Sequence, residues 1–124
     1  MGDMSDALII TLAWPDSLLS PNRVANWRKK ATARKVARAR AAIATRAGVG
    51  MLGAMPPDTS LEVSLTFCPP DKRKRDMDNV LSSLKSAIDG VADALAVNDC
   101  CFVYRMAWGD VVPGGCVVAV CRWV

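Results

Sequence analysis

At 124 residues, with 52% hydrophobic and 23% charged positions and a net charge of +4, the chain has the length and balance of one folded domain rather than a disordered segment. Histidine is absent and no Cys-x-x-Cys pair occurs, so the usual zinc sites and Ser-His-Asp, Cys-His or histidine-base catalysis are excluded, and any hydrolysis must use carboxylates, lysine and metal. No run approaches the ~18 uncharged residues of a bilayer span, the start MGDMSDAL lacks the basic residues of a secretory signal, and Cys68, Cys100, Cys101, Cys116 and Cys121 read as reduced, mostly buried thiols, which predicts a cytoplasmic protein without membrane contact.

In chain order, ALIITLAW (7–14) reads as a strand buried on both faces and ended by Pro15. Ser20 then offers a helix cap with Pro21 in the first turn. From Val24 to about Ala47 an alanine-rich helix is expected, with Val36, Ala39, Ile43 and Ala47 as a narrow apolar stripe. GVGMLGAMPP (48–57) is a loop. SLEVSLTFC (60–68) alternates cleanly, placing Leu61, Val63, Leu65 and Phe67 on one face of a half-buried strand. After Pro69 and Pro70 a second helix carries Val80, Leu81, Leu84, Ala87, Ile88, Val91 and Leu95 on a wide apolar face, capped by Asp78 or Asn79. CFVYRMAW (101–108) and CVVAVCRWV (116–124) are strands joined by GDVVPGG, which suits a hairpin. The expected fold is α+β, a single small domain over residues 1–124 of order β-α-β-α-β-β, with a mixed sheet packed against helices.

Charge is sorted along this chain. Residues 17–57 contain no acid, while Arg23, Arg28, Lys29, Lys30, Arg34, Lys35, Arg38, Arg40 and Arg46 supply nine cations, the footprint of a polyanion ligand. A second basic run, Lys72, Arg73, Lys74 and Arg75, abuts Asp76 and Asp78 in KRKRDMDNV (72–80). In an extended segment residues i and i+2 project to one side, so Asp76 and Asp78 can converge on Mg2+ or Mn2+, which favour hard oxygen donors. The competing role is a solvated Asp76 beside a helix-capping Asp78. Along the second helix Asp78, Ser82, Lys85 and Asp89 share a face. Lys85 there either pairs with Asp89 at i,i+4 or reaches back to a scissile phosphate. Asp99 precedes the third strand, where the chain could return it to the metal-binding end or use it in a turn. Asp71 and Asp110 read as solvated loop residues, and Trp108 and Trp123 as core aromatics or dimer contacts.

RDMDNVLSSLKSAIDGVADALAVNDC (75–100) resembles the core motif of the RusA-type Holliday junction resolvases, roughly R-D-x-D-N, a lysine, D-G/A-L and a terminal D. LLSPNRVANWRKKATARKVA (18–37) is similar to their amino-terminal stretch, an asparagine and tryptophan before a basic helix. The resemblance implies a small α+β homodimer that binds four-way DNA junctions and nicks opposing strands with magnesium or manganese, without an organic cofactor. Asp76, Asp78 and Asp99 match the family's metal-ligand aspartates. The lysine falls on Lys85, whereas some members carry it where this chain has Ser82. Asn98 stands where an acid is often found. Catalytic candidates are therefore Asp76, Asp78, Asp99 and Lys85. The DNA contacts expected are Arg28, Lys29, Lys30, Arg34 and Arg38 of the first helix and Lys72, Arg73, Lys74 and Arg75 of the loop. Two other readings of the same residues are a non-catalytic nucleic-acid-binding module and a metal nuclease acting on flaps or other branched DNA.

Overall fold

The computed structural model describes residues 6–124, so most of the start MGDMSDAL, Asp3 included, lies outside the described residues. Strands β1 (Leu8–Ala13), β2 (Val49–Gly50), β3 (Leu61–Cys68), β4 (Phe102–Trp108) and β5 (Cys116–Trp123) and helices α1 (Trp27–Arg46), α2 (Met77–Ser83) and α3 (Lys85–Leu95) build an α+β fold. The five strands form one mixed sheet in the order β2-β1-β5-β3-β4, with the helices packed against it.

Alternation in β3 is as the sequence predicts: Leu61, Val63, Leu65 and Phe67 are buried and meet Val117, Ala119 and Cys121 of β5. Each such side chain is worth ~1.5–3 kcal/mol of burial. β1, expected to be buried on both faces, alternates as well, with Leu8, Ile10 and Leu12 inward and Ile9, Thr11 and Ala13 outward. The helices cover only one face of the sheet, so apolar residues on the other face stay wet. There Glu62 and Arg105 make an ion pair at 2.9 Å.

The hairpin expected between β4 and β5 does not form. β3 lies between them, parallel to β4 and antiparallel to β5. Turn-rich sequence in residues 109–115 fixes only that the chain bends, and the bend is pinned to the end of β3 by Gly109 N–H to Phe67 O (2.8 Å) and Val112 N–H to Pro69 O (3.0 Å). Within the expected loop 48–57, Val49 and Gly50 pair with β1. Gly50 has φ +88°, and a Cβ there would sit 2.1 Å from the Ala7 carbonyl oxygen.

α1 begins later than predicted. Asn26, not Ser20, is its cap, accepting from Arg28 N–H at 2.8 Å, while Ser20 closes a short 3-10 turn, Ser17–Leu19. The apolar stripe is also out of phase: Ala41, Ala42 and Thr45 are buried, whereas Val36 and Ile43 face water, Ile43 at 64% exposure. The cause is the neighbour. α1 packs on α3 so closely that a Cβ on Gly90 would lie 2.1 Å from the Arg38 carbonyl oxygen and 3.0 Å from Ala41 Cβ, leaving room only for small inward residues. The expected second helix is likewise two helices, joined at the buried Leu84. Of the five cysteines only Cys121 is fully buried, its thiol pushed up to about 11 by burial, and Cys100 is exposed. Among the described residues no helix is long and apolar enough to cross a membrane.

Gly90→Ala is expected to destabilise the protein by ~1–3 kcal/mol through overpacking, read as a lower urea midpoint. An unchanged midpoint would contradict the close α1–α3 approach.

Candidate functional site

Pro69 and Pro70 end β3 and deliver the chain to Asp71, which is not the solvated loop residue its spacing suggested. Its carboxylate accepts from Arg73 N–H (3.0 Å), Arg73 Nη2 (3.1 Å) and Arg75 Nη2 (2.8 Å). Hydrogen bonds from Arg73, then from Arg75, hold that carboxyl well below the usual carboxylate range. Arg75 also donates Nη1 to the carbonyls of Asp71 (3.1 Å) and Arg73 (3.0 Å), and lies 5.5 Å from the Trp14 ring centroid. Its side chain is only 16% exposed. Arg75, expected on DNA, is therefore a brace of this loop, and Arg73 shares its counter-ion. Lys72 and Lys74 are exposed and make no ion pair among the described residues.

The loop ends at Asp76, and here the capping assignment changes. Asp76, not Asp78 or Asn79, is the N-cap of α2, its Oδ1 accepting from Asp78 N–H at 2.9 Å. Asp78 sits in the first turn, exposed, and its carboxylate has no hydrogen-bond partner among the described residues. A recess of about 310 Å³ beside Asp76 is lined by Trp14, Asp16, Ser20, Lys74 and Asn79 among others.

Lys85 and Asp99 form a separate cluster. Lys85 Nζ donates to Asp99 Oδ2 (2.5 Å) and to Asp89 Oδ1 (3.1 Å), so the expected i,i+4 pair exists and gains a second acid. Asp99 opens a short 3-10 turn capped by Asn98, whose Oδ1 accepts from Cys100 N–H at 3.0 Å. The Asp99 bond raises the Lys85 pKa, and the same bond lowers that of Asp99. Nearby, burial pushes the Tyr104 hydroxyl up.

The structure does not bring Asp99 to Asp76 and Asp78. α2 starts at the carboxyl end of β3, whereas Asp99 precedes the amino end of β4, and these strands are parallel. Seven residues separate Asp78 from Lys85, ~10 Å of helix rise. Among the described residues no three of His, Cys, Asp or Glu gather so as to hold a metal ion. Lys85 is correspondingly turned to Asp89 and Asp99 rather than to the start of α2.

On α1 the expected DNA contacts divide. Arg38 is committed to Asp93 of α3 by two bonds, Nε at 2.6 Å and Nη2 at 2.8 Å, and ties the helices together. Arg28, Lys29 and Arg34 are exposed and Lys30 is half-buried, none in an ion pair among the described residues. Arg28 lies 5.4 Å from the centroid of its neighbour Trp27. Trp14, to which the sequence assigns no role, and Arg40, one of the nine cations but not among the expected DNA contacts, border with Arg28 and Lys29 a groove of about 910 Å³. Trp14 carried one usable signal, an aromatic at a strand end just before the acid-free segment.

No family model matches the chain. Over 95 residues it is 40% identical to a protein of Xylella fastidiosa (strain Temecula1) described as an uncharacterized protein, a match that takes in 76% of this chain and spans 61% of that relative's length.

Because the Asp71 carboxyl is depressed in the folded state, its contribution to stability is complete above the ordinary carboxylate pKa of ~3.9 and is lost as the pH falls through the folded value. Asp71→Asn should therefore lower Tm near neutrality and flatten the Tm profile on acidification from about pH 6 to about pH 2. Parallel profiles for the two proteins would show that the loop is not braced by this charge.

Proposed function

We propose that this chain is a structure-selective endodeoxyribonuclease that resolves four-way DNA junctions with Mg2+ or Mn2+, acting as a symmetric homodimer in a bacterial cytoplasm. The observation that supports it best is the Asp78 carboxylate, exposed and without a hydrogen-bond partner among the described residues, next to Asp76 and two exposed lysines. A surface that only bound phosphate would be weakened by such a charge. A divalent cation between carboxylate and phosphate turns that repulsion into attraction.

Magnesium usually takes one or two carboxylates and completes its shell with waters and substrate phosphate, and Asp76 and Asp78 fit that demand as hard donors on one short segment. When bound there, the ion would supply an acidified water and neutralise charge on the scissile phosphate. The chain's own residues do the rest. Asp76 pins the backbone of Asp78 through the cap. Lys72, Lys74, Arg28, Lys29 and Arg34 neutralise backbone phosphates, which gives affinity without base discrimination. Branched geometry then selects the substrate, and a four-way junction with twofold symmetry is matched by a twofold dimer.

A second reading, a binding module without catalysis, draws support from Asp99. Its ion pair with Lys85 removes it from the carboxylate set that the resemblance implies.

Labelled four-way junction, flap and linear duplex, each with Mg2+ or Mn2+ and with EDTA, separate the readings. Paired metal-dependent nicks in the junction are expected; binding without nicks supports the module, and cutting of flaps alone supports a different branched substrate. Asp78→Asn should cost more activity than the ~10–100-fold typical of outer-shell partners, with junction affinity retained or tightened. A fully active variant would overturn the assignment.

A further inference from the structure

The groove of about 910 Å³ runs between the first half of α1, the end of β1 and the α2–α3 joint. Its floor is apolar, formed by Leu12, Ala33, Ala37, Ala41 and Leu84, and Trp14 forms one wall. The alanines at 33, 37 and 41 recur at four-residue spacing on the inner side of α1, and their small size makes the hollow. Arg28, Lys29 and Arg40 stand around it. Asp16, the acid in its lining, has Oδ1 engaged by Leu18 N–H at 2.9 Å. Trp14, Pro15, Asp16 and Ser83 also line the recess of Asp76, so the two hollows adjoin. Two of the lining residues belong to aromatic–guanidinium pairs: Trp14 with Arg75 of the adjoining recess, and Arg28 with the exposed Trp27.

A cationic margin asks for phosphates, and an apolar, tryptophan-walled floor asks for a flat apolar face to desolvate. Paired duplex offers the first but hides its base faces in the stack. Unpaired DNA offers both. We infer that this groove binds unpaired nucleobases of a single-stranded stretch of DNA, with the sugar-phosphate backbone against Arg28, Lys29 and Arg40. Placing that stretch at a branch point, beside the phosphate at Asp76 and Asp78, rests on the proposed function. Binding of the bases does not.

The test uses the full chain in EDTA, where nothing is cut, and measures anisotropy of a labelled single strand of ~12 nucleotides, of the same strand built from abasic nucleotides, and of the matching duplex. The expected result is at least tenfold tighter binding of the normal strand than of the abasic one, roughly the effect of one or two stacked bases. Ala37→Leu and Ala33→Leu, which fill the groove, should remove that advantage while leaving abasic affinity within about twofold, as backbone contacts are untouched. Equal affinity of wild type for both strands, or an undiminished advantage in either folded variant, overturns the inference, and the wild-type comparison decides even if neither variant folds. Should sedimentation show that filling the groove turns a dimer into a monomer, its occupant is a second copy and the inference is also overturned. Nicking of junctions is scored separately: wild type that nicks but ignores bases sinks the groove alone, and wild type that binds bases but never nicks sinks the nuclease reading alone.

Discussion

The parallel ladder between β3 and β4 governs where Asp76, Asp78 and Asp99 end up. Parallel neighbours cannot be joined by a turn, so the chain must cross over through α2 and α3 before β4 can begin. That crossover starts at one end of β3 and finishes at the other. Asp76 and Asp78 are therefore placed where β3 ends, and Asp99 where β4 starts. β5 pairs with the other edge of β3, so β3 is held on both sides and its buried alternation fixes the register.

The helical layer answers a second demand, that a strongly basic helix be buried along one side. α1 meets it with size rather than hydrophobicity: Ala41, Ala42 and Thr45 face inward, Thr45 returns its hydroxyl to the Ala41 carbonyl at 2.7 Å, and Gly90 lets the α3 backbone approach. One cation, Arg38, is used up in the contact with Asp93, and its partner's carboxyl is lowered by that bond. Where α1 meets α3 at Gly90 there is no room for a long stem, and the remaining cations described on α1 lie outside that contact. Close packing of small residues and a one-signed outer surface are thus two results of a single choice, and the same small residues leave the groove beside Trp14 open.

How much of this the sequence discloses depends on whether the deciding contact is local. The alternation of residues 61–68 is a two-residue pattern with strong apolar contrast, and it predicts which side of β3 is buried. The phase of α1 is illegible because alanine carries little contrast, and Val36 and Ile43 outvote it in any count of hydrophobicity although they face water. Ser20 before Pro21 and Asn26 before Trp27 are equally good caps by composition, and the short turn at Ser17–Leu19 decides between them. The candidate site divides in the same way. Asp76 and Asp78 were visible as two acids on one short segment. The grip of Lys85 on Asp99 spans fourteen residues, that of Arg38 on Asp93 spans fifty-five, and no periodicity encodes either.

Why the cations of residues 72–75 are sorted so sharply from the acids around them becomes clear when the segment is divided by parity. The chain leaves β3 and reaches α2 through bends and irregular backbone, and its side chains fall into two sets. The odd positions Asp71, Arg73 and Arg75 close on one another, with Arg75 further seated against Trp14. The even positions Lys72, Lys74 and Asp76 remain exposed. One short stretch thus braces itself on one side, while on the other Lys72, Lys74 and the Asp78 carboxylate make no ion pair among the described residues and Asp76 is engaged only as the cap of α2, the combination on which the proposed binding of phosphate through a divalent cation relies.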